Sequence, residues 1–171
     1  MSLRDIIDIK EINIETLILE TINDKEKTYY TYSGEVNENK QPHGYGIGIF
    51  KEFKYCGTWK NGIQYGDGIK YCTQTNKTLK IKYIGIFNGA LLQGNGKIYI
   101  NDYLYFEGNF TNNKYNEFGK IYYNNKKPRY IGSFKNNLRH GNGKLYDITG
   151  NLLYDGNFKE DKKSGEGKSY N

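Results

Sequence analysis

Aromatic residues and glycines alternate along most of this chain with a regular period. The alternating segments begin at residues 32, 55, 83, 106, 130 and 154, and they read YSGEV, YCGTW, YIGIF, FEGNF, YIGSF and YDGNF. A Gly-x-Gly signature and a short apolar tail follow, as in HGNGKLY at residues 140–146. Such self-similarity, with a period of about 24 residues, predicts an array of repeated structural units.

Each unit predicts one β-hairpin. Side chains alternate between the two faces of a strand, so positions 1, 3 and 5 of Tyr-x-Gly-x-Phe share a face. The two glycines of Gly-x-Gly also share a face in the second strand. Glycine loses packing in a strand, and a close approach of another group is a common reason for it. We therefore expect a ring from the neighbouring unit to lie over this bare backbone.

Stacked units of this kind predict an all-β fold, because no single hairpin can bury its own apolar face. The expected architecture is an elongated, twisted antiparallel β-solenoid of about six hairpins over residues 31–171. Three departures from the pattern are visible. Residues 72–82 hold about five extra residues and predict a longer hairpin loop. Glu117 replaces the first glycine of the fourth unit, and the first unit has a one-residue insertion around Pro42.

Residues 1–30 lie outside the repeat and form a separate segment. The array has an open first edge, so we expect this segment to cap it. Alternatively, it recruits a partner or folds back along the basic face. Its apolar residues fit a strand through Ile7, Ile9, Ile12 and Ile14, with one slip. A helix fits about as well, with the following residues on one side: Leu3, Ile6, Ile7, Ile14, Leu17 and Ile18.

Charge is unevenly distributed along the chain. Residues 1–30 hold four basic and seven acidic residues, whereas residues 31–171 hold 21 basic and 12 acidic residues. A basic body attracts anionic membranes, acidic proteins or nucleic acids, although a soluble surface coated with lysine accounts for it equally well. Aromatic residues make up 16% of the chain, which argues against disorder.

The sequence predicts an intracellular protein. The opening residues carry acids within their apolar run, which is unlike a signal peptide, and no stretch resembles a membrane span. Two cysteines, Cys56 and Cys72, are expected to be free thiols in a reducing compartment. We expect a cytoplasmic location, with the cytoskeleton or the inner face of a membrane as specific alternatives.

Catalytic and metal-binding motifs are not recognised in this sequence. The glycine pairs belong to the repeat and match neither a dinucleotide fingerprint nor a phosphate loop. His43 and His140 each precede a repeat glycine, and the cysteines lack further ligands at metal spacing. We expect that the protein is not an enzyme and that it carries no cofactor and no metal.

At these residues the chain resembles the MORN family, whose name stands for membrane occupation and recognition nexus. The second unit, YCGTWKNGIQYGDGIKY at residues 55–71, has every element of that repeat, including Gly62. The fifth unit, at residues 130–146, has an asparagine at that middle glycine. The resemblance covers about residues 32–171. It implies one hairpin per repeat and a role as a scaffold, a helix-binding groove, a dimerisation module or a binder of acidic phospholipids.

Two ladders of side chains recur at fixed repeat positions and are candidate binding residues. The first combines lysines with tyrosines two residues later, on one strand face: Lys97, Lys120, Lys144, Lys168, Tyr99, Tyr122, Tyr146 and Tyr170. It predicts a stripe for an acidic helix or for lipid head groups, or else simply a solvated face. The second consists of rings expected mostly in the core, or else in a groove that anchors a partner helix: Trp59, Phe87, Phe110 and Phe134.

The sequence therefore predicts a non-enzymatic scaffold that binds a protein partner, with a homodimer as one form of it, at a cytoskeletal or cortical site. The expected partner is a helical or acidic protein segment. The alternatives are a peripheral membrane module that binds acidic phospholipid through the lysines, and the regulatory fragment of a longer enzyme. Nucleic acid is a weaker candidate, because nothing matches a known nucleic-acid module.

Overall fold

The computed structural model describes residues 15–23, 26–73 and 79–170. Within these ranges the chain forms a single antiparallel sheet in which the strands follow one another in chain order. Their bounds are β1 Glu15–Asn23, β2 Glu26–Val36, β3 Pro42–Ile49, β4 Phe53–Lys60, β5 Ile63–Thr73, β6 Lys80–Asn88, β7 Leu91–Ile100, β8 Tyr103–Thr111, β9 Lys114–Tyr122, β10 Pro128–Lys135, β11 Leu138–Tyr146, β12 Leu152–Lys159 and β13 Lys162–Ser169.

The predicted all-β architecture is confirmed. Hairpins 1 to 6 are formed by β2–β3, β4–β5, β6–β7, β8–β9, β10–β11 and β12–β13, and each hairpin contains one sequence repeat. Neighbouring strands lie about 4.8 Å apart, so the twelve steps from β1 to β13 cover roughly 58 Å along the sheet. The sheet is open, because β1 and β13 lie at opposite ends of the strand order.

One row of glycines crosses the whole array, with one glycine in each strand from β2 to β13. We call it the glycine row, and its members pair directly with one another across neighbouring strands: Gly34, Gly46, Gly57, Gly68, Gly85, Gly96, Gly108, Gly119, Gly132, Gly143, Gly156 and Gly167. Because directly paired residues point to the same face, the row also fixes which side chains share a face.

Most of the rings that cover the glycine row belong to the same hairpin as the glycines. A Cβ on Gly57 would lie 2.7 Å from the Tyr55 hydroxyl, and a Cβ on Gly68 would meet the same ring. The prediction that these rings come from the neighbouring unit is therefore wrong except at Gly96, where a Cβ would lie 3.1 Å from Phe110 of the next hairpin. Positions 1 and 3 of one strand are adjacent on one face, so the ring folds along its own strand and reaches both paired glycines.

Neighbouring hairpins are instead joined by contacts between rings on this face, which we call the inner face. The Tyr55 ring meets Trp59 of its own hairpin at 5.3 Å and Phe87 of the next hairpin at 5.3 Å, both edge to face. Tyr130 repeats the arrangement with Phe134 at 5.1 Å and Phe158 at 5.3 Å. These rings are fully or almost fully buried and form the core of the protein.

The first glycine of each Gly-x-Gly is needed for a different physical reason from the second. Gly66 and Gly141 have φ values of +77° and +76°, a left-handed conformation that glycine adopts without a steric penalty. A Cβ on Gly94 would meet no described atom within 4 Å, so close packing does not explain that glycine. The prediction of one common cause for both glycines is thus wrong. Glu117 occupies the equivalent position of hairpin 4 at φ +56°.

Residues 15–23 form strand β1, which pairs with β2 from Glu15↔Gly34 to Asn23↔Glu26. The helical alternative is therefore wrong for Leu17 and Ile18, and residues 1–14 with their predicted strand lie outside the described residues. The capping role of the N-terminal segment stays a prediction.

Two of the irregularities seen in the sequence lie between strands. The longer loop expected within residues 72–82 includes residues 74–78, which are not described; the strands on either side pair as far as Thr73↔Lys80. The insertion of the first unit lies in a loop of five residues, 37–41, before β3 begins at Pro42.

Candidate functional site

The face of the sheet opposite the buried rings, which we call the outer face, carries the predicted lysines in a single row. Cross-strand pairing defines this lysine row as Lys97, Glu107, Lys120, Ile131, Lys144, Asp155 and Lys168. Each member is adjacent in sequence to a residue of the glycine row. The glycine register therefore also sets the register of these charges.

Two carboxylates that the sequence analysis missed lie between the lysines. The Lys97 and Lys120 Nζ atoms lie 3.7 Å and 3.3 Å from the Glu107 carboxylate, and Lys144 lies 3.1 Å from Asp155. Reading the second residue of each repeat across the paired glycines would have placed both acids opposite lysines. Partly exposed ion pairs of this kind contribute little stability, but they reduce the positive charge of the row.

Glu107 is the most highly connected side chain of the lysine row. The Tyr122 hydroxyl donates a hydrogen bond of 2.6 Å to its Oε1. This bond and the neighbouring lysines hold the pKa of the Glu107 carboxyl below its usual value. Burial, followed by the hydrogen bond to Glu107, raises the pKa of Tyr122. The carboxylate is therefore ionised at neutral pH and engaged by its neighbours.

Two of the other predicted tyrosines contact cations. The Lys82 Nζ lies 4.4 Å from the centre of the Tyr99 ring, and the Lys168 Nζ lies 5.1 Å from that of Tyr170. Tyr146 is half-buried. These contacts are cation–π interactions, which attract weakly at exposed sites.

The second set of predicted residues lies on the inner face. Trp59, Phe87, Phe110 and Phe134 are only 1–4% exposed. They belong to the ring-to-ring contacts of the core and offer almost no surface in this conformation. A role as partner anchors stays a prediction.

Large apolar side chains are exposed on the outer face instead. Their position follows from pairing and alternation, since each lies next to an inward-facing residue. The set is Tyr45, Ile49, Tyr71, Ile86 and Phe118. Lys54 lies between Ile49 and Tyr71 in the sheet, so this part of the outer face is a mixed apolar and basic surface.

A β-bulge lies next to the glycine row in every hairpin, because the second strand holds two more residues there than the first. In hairpins 1, 2, 5 and 6 one residue of the first strand is unpaired opposite this bulge, as between Gly57 and Trp59 or between Gly132 and Phe134, and we call it the bulge residue. The tyrosine hydroxyl of the same repeat donates a hydrogen bond to the carbonyl of that residue: Tyr32 to Glu35, Tyr55 to Thr58, Tyr130 to Ser133 and Tyr154 to Asn157.

Among the described residues, hairpins 3 and 4 lack this hydroxyl bond, and the equivalent residue of their first strand is paired. In hairpin 4 the ring over the glycines is Phe106, which has no hydroxyl group. In hairpin 3 Leu92 takes its place. Ile86 accordingly pairs with Gln93, and Asn109 pairs with Asn116.

This difference changes the outer face. In the other hairpins the side chain of the bulge residue lies beside the first glycine of the paired strand; thus Thr58 Oγ1 lies 2.9 Å from a Cβ placed on Gly66. The same hydroxyl donates hydrogen bonds to the carbonyls of Tyr65 and Asp67. In hairpin 3, where Ile86 occupies the equivalent position and is paired, the corresponding space beside Gly94 is open.

An open cleft of about 410 Å³ lies over hairpins 3 and 4 on the outer face. We call it the outer cleft. It crosses β6 to β9 and is lined by Ile84, Gly85, Asn95, Gly96, Lys97, Glu107, Gly108, Phe118 and Lys120. Its lining combines apolar side chains, bare glycine backbone and the first three charges of the lysine row.

The cysteines and histidines of the chain give little support for nucleophilic catalysis or metal binding. Cys56 and Cys72 are free and half-buried, and burial raises the pKa of both thiols, which keeps them protonated at neutral pH. Among residues 15–23, 26–73 and 79–170, no three or more His, Cys, Asp or Glu side chains form a potential metal site. His43 is exposed and His140 is half-buried.

The fold and the repeated sites together define a repeat protein made of stacked β-hairpins. Family comparison then identifies the repeat: the MORN repeat model matches residues 55–72, 106–126, 130–152 and 154–170. The chain is a MORN repeat protein. Hairpins 1 and 3 lie outside these matches, although both contribute to the glycine row.

Proteins of this family supply protein-binding or membrane-binding scaffold modules. Among curated proteins, none matches this chain. In the part of the chain that the structure describes, no helix has the length and hydropathy of a membrane span.

Proposed function

We propose that this protein is a non-enzymatic scaffold that binds a protein partner through the outer face of its sheet, at the cytoskeleton or the cell cortex. The observation that supports this proposal most directly is the exposed apolar surface of that face. Phe118 is 55% exposed and Ile49 is 53% exposed, although both lie within strands. Partner binding would remove this surface from water, which is favourable in proportion to the area buried.

The charges of the outer face suit a protein partner as well. Ile49, Lys54, Tyr71, Lys82 and Tyr99 alternate apolar and basic side chains along one cross-strand row. Alternation of this kind gives a partner both apolar contacts and charges that fix its register. The inner face, by contrast, uses its rings to hold the hairpins together.

Crosslinking with mass spectrometry in the native cell tests this proposal. Lysine-reactive crosslinks to a partner protein are expected at Lys54 and Lys82, which lie on the outer face. Lys70 is a matched control, because it lies between them in the sheet but points to the inner face, where its Nζ is 4.1 Å from the Phe53 ring centre. An absence of crosslinks to any protein, or partner crosslinks at Lys70 alone, would contradict the proposal.

A second candidate function is peripheral membrane binding through the lysine row. The alignment of Lys97, Lys120, Lys144 and Lys168 on one face favours it, because each lysine near an anionic membrane adds about 1 kcal/mol. Glu107 and Asp155 act against it by partly neutralising the row. Flotation with phosphoinositide vesicles separates the two candidates. Membrane binding predicts loss of flotation when the four lysines become glutamate, whereas unchanged flotation rejects it.

A further inference from the structure

The outer cleft lies where the repeat departs from its own pattern. In hairpins 3 and 4, Leu92 and Phe106 cover the glycine row in place of a tyrosine, and the hydroxyl bond seen in the other hairpins is missing. Both hairpins contribute strands to the cleft. Departures from local rules are expected at functional sites, because a purely structural repeat has no reason to vary there. The cleft thus distinguishes this part of the outer face from equivalent positions in hairpins 1, 2, 5 and 6.

Two chemical features meet in the outer cleft. Ile84 and Phe118 provide apolar walls above a floor of glycine backbone. Lys97 and Lys120 provide cations at one side of it, and each has part of its side chain in solvent. One carboxylate, Glu107, faces both lysines, and it already accepts a hydrogen bond from Tyr122. The site therefore keeps an excess of positive charge beside an apolar surface.

We propose that the outer cleft binds an apolar side chain of an acidic protein segment. The apolar side chain would lie over the glycines between Ile84 and Phe118, and neighbouring carboxylates would approach Lys97 and Lys120. This inference rests on the proposed function, because it names the kind of protein partner that the outer face binds. A lipid phosphate fits less well, since it leaves the apolar walls without a contact.

Selection of random peptides displayed on phage, with the full chain as target, tests this inference. Selected peptides are expected to carry an aliphatic or aromatic residue flanked by Asp or Glu. Their affinity should fall by about tenfold or more for Phe118→Asp and for Lys97→Glu, because these changes place like charges against the peptide. Peptides without an acidic bias would overturn the inference.

Two matched variants serve as controls. Tyr45 occupies the same repeat position as Phe118 and is 44% exposed, but it lies in hairpin 1. Lys144 occupies the same position as Lys97 and already pairs with Asp155. Tyr45→Asp and Lys144→Glu should leave peptide affinity within about twofold of the original chain. Equal losses in test and control variants would reject the cleft as the site, and thermal unfolding verifies that all four variants fold.

Different experimental results distinguish a failure of this inference from a failure of the proposed function. If the native partner found by crosslinking binds Phe118→Asp and Lys97→Glu as well as the original chain, the cleft inference is wrong and the scaffold function stands. If crosslinking recovers no protein, the scaffold function fails. Binding of anionic vesicles that is lost in the cleft variants, with no peptide selected, rejects the protein segment in favour of lipid.

Discussion

The tyrosine that opens most repeats combines two roles in one side chain. Its ring covers two glycines of its own hairpin, and its hydroxyl bonds the carbonyl of the bulge residue three positions later. A strand carbonyl displaced from the ladder by a bulge needs another donor, and the hydroxyl provides one. The residue therefore sets both the packing of the inner face and the shape of the outer face.

Replacement of Tyr130 by phenylalanine isolates the hydroxyl from the ring. Tyr130→Phe should lower the free energy of unfolding by about 1 kcal/mol, because the 3.0 Å bond to the Ser133 carbonyl is lost while the ring contacts remain. Urea denaturation measures the change. Tyr65→Phe, at an exposed ring, is the control and should have little effect. An equal loss in both variants would contradict the role of this hydroxyl.

Glu117 is a residue in a conformation that suits glycine. The left-handed backbone costs a side chain roughly 1–2 kcal/mol, while glycine adds about 0.4–1 kcal/mol of unfolded-state entropy. Glu117→Gly should therefore stabilise the protein by up to about 1 kcal/mol, whereas Gly141→Ala should destabilise it. Thermal unfolding of both variants measures the effect. Destabilisation by Glu117→Gly would show that the glutamate side chain compensates for its backbone.

We expect the contribution of Glu107 to the stability of the protein to depend on pH. Its folded-state pKa lies below the ordinary value, chiefly because of the hydrogen bond from Tyr122. A lowered pKa means that the contribution is complete above the unfolded-state value of about 4.3 and is lost as the pH falls through the folded-state value. The stability difference between the original chain and Glu107→Gln should thus shrink below about pH 4. A difference independent of pH would argue against this network.

At the scale of the hairpin, the turns connect each element to the one before it. The second turn residue donates its backbone N–H to a carbonyl of the preceding hairpin, as from Asn137 to Tyr115 at 3.0 Å. Its side-chain oxygen accepts the N–H of the same residue at 2.8 Å. Asn113 with Leu92 and Asp161 with Arg139 repeat both bonds. Asparagine and aspartate also tolerate the left-handed turn conformation.

Glycine replaces this asparagine in the turn of hairpin 2, and the comparison gives a matched pair of variants. Gly62 donates to the Pro42 carbonyl at 2.8 Å, but proline has no N–H for a side chain to accept. Asn113→Gly should lower the free energy of unfolding by about 1–2 kcal/mol, because it removes the acceptor of the 2.7 Å bond from the Leu92 N–H and frees the unfolded chain. Gly62→Asn should raise it by only about 0.4–1 kcal/mol, because it restricts the unfolded chain without adding that bond. Changes of equal size in urea denaturation would contradict the hydrogen-bond explanation.

Much of the hairpin was predictable from the repeat. The spacing of Tyr-x-Gly-x-Phe and Gly-x-Gly places the strands and the inner-face rings correctly, because alternation and period depend only on local sequence. The origin of the covering ring was not predictable in this way. A ring over Gly57 can come from Tyr55 in the same strand or from a neighbouring hairpin, and only the side-chain direction in the folded strand decides between them.

The candidate site was predictable only in part, for a related reason. The lysines recur at one repeat position and are visible in the sequence, whereas Glu107 and Asp155 belong to the other strand of the hairpin. Placing them opposite the lysines requires the register across strands. The outer cleft lies over the two hairpins in which Leu92 and Phe106 cover the glycines and the tyrosine hydroxyl bond is absent. Such an absence acquires meaning only when the hairpins are compared in three dimensions.

At the scale of the whole molecule, the array is stabilised by contacts between neighbours, so a local defect should have a local effect. Gly143→Ala would place a methyl group against the Tyr130 ring and should cost about 1–3 kcal/mol. Amide hydrogen exchange should show faster opening of hairpin 5 and its neighbours, with hairpin 2 still protected. Asn142→Ala, at the adjacent exposed residue, is the control. Uniform loss of protection along the chain would indicate a single cooperative unit.

The backward direction of the turn contacts has a consequence for biosynthesis. Tyr115 and Arg139 receive their partners from Asn137 and Asp161, more than twenty residues later in the chain. During translation, a backbone N–H of each newly formed hairpin therefore has no protein acceptor until the next hairpin leaves the ribosome. Growth of the array is then ordered from the amino terminus, and a pause in elongation leaves the most recent hairpin as the weakest part of the nascent protein.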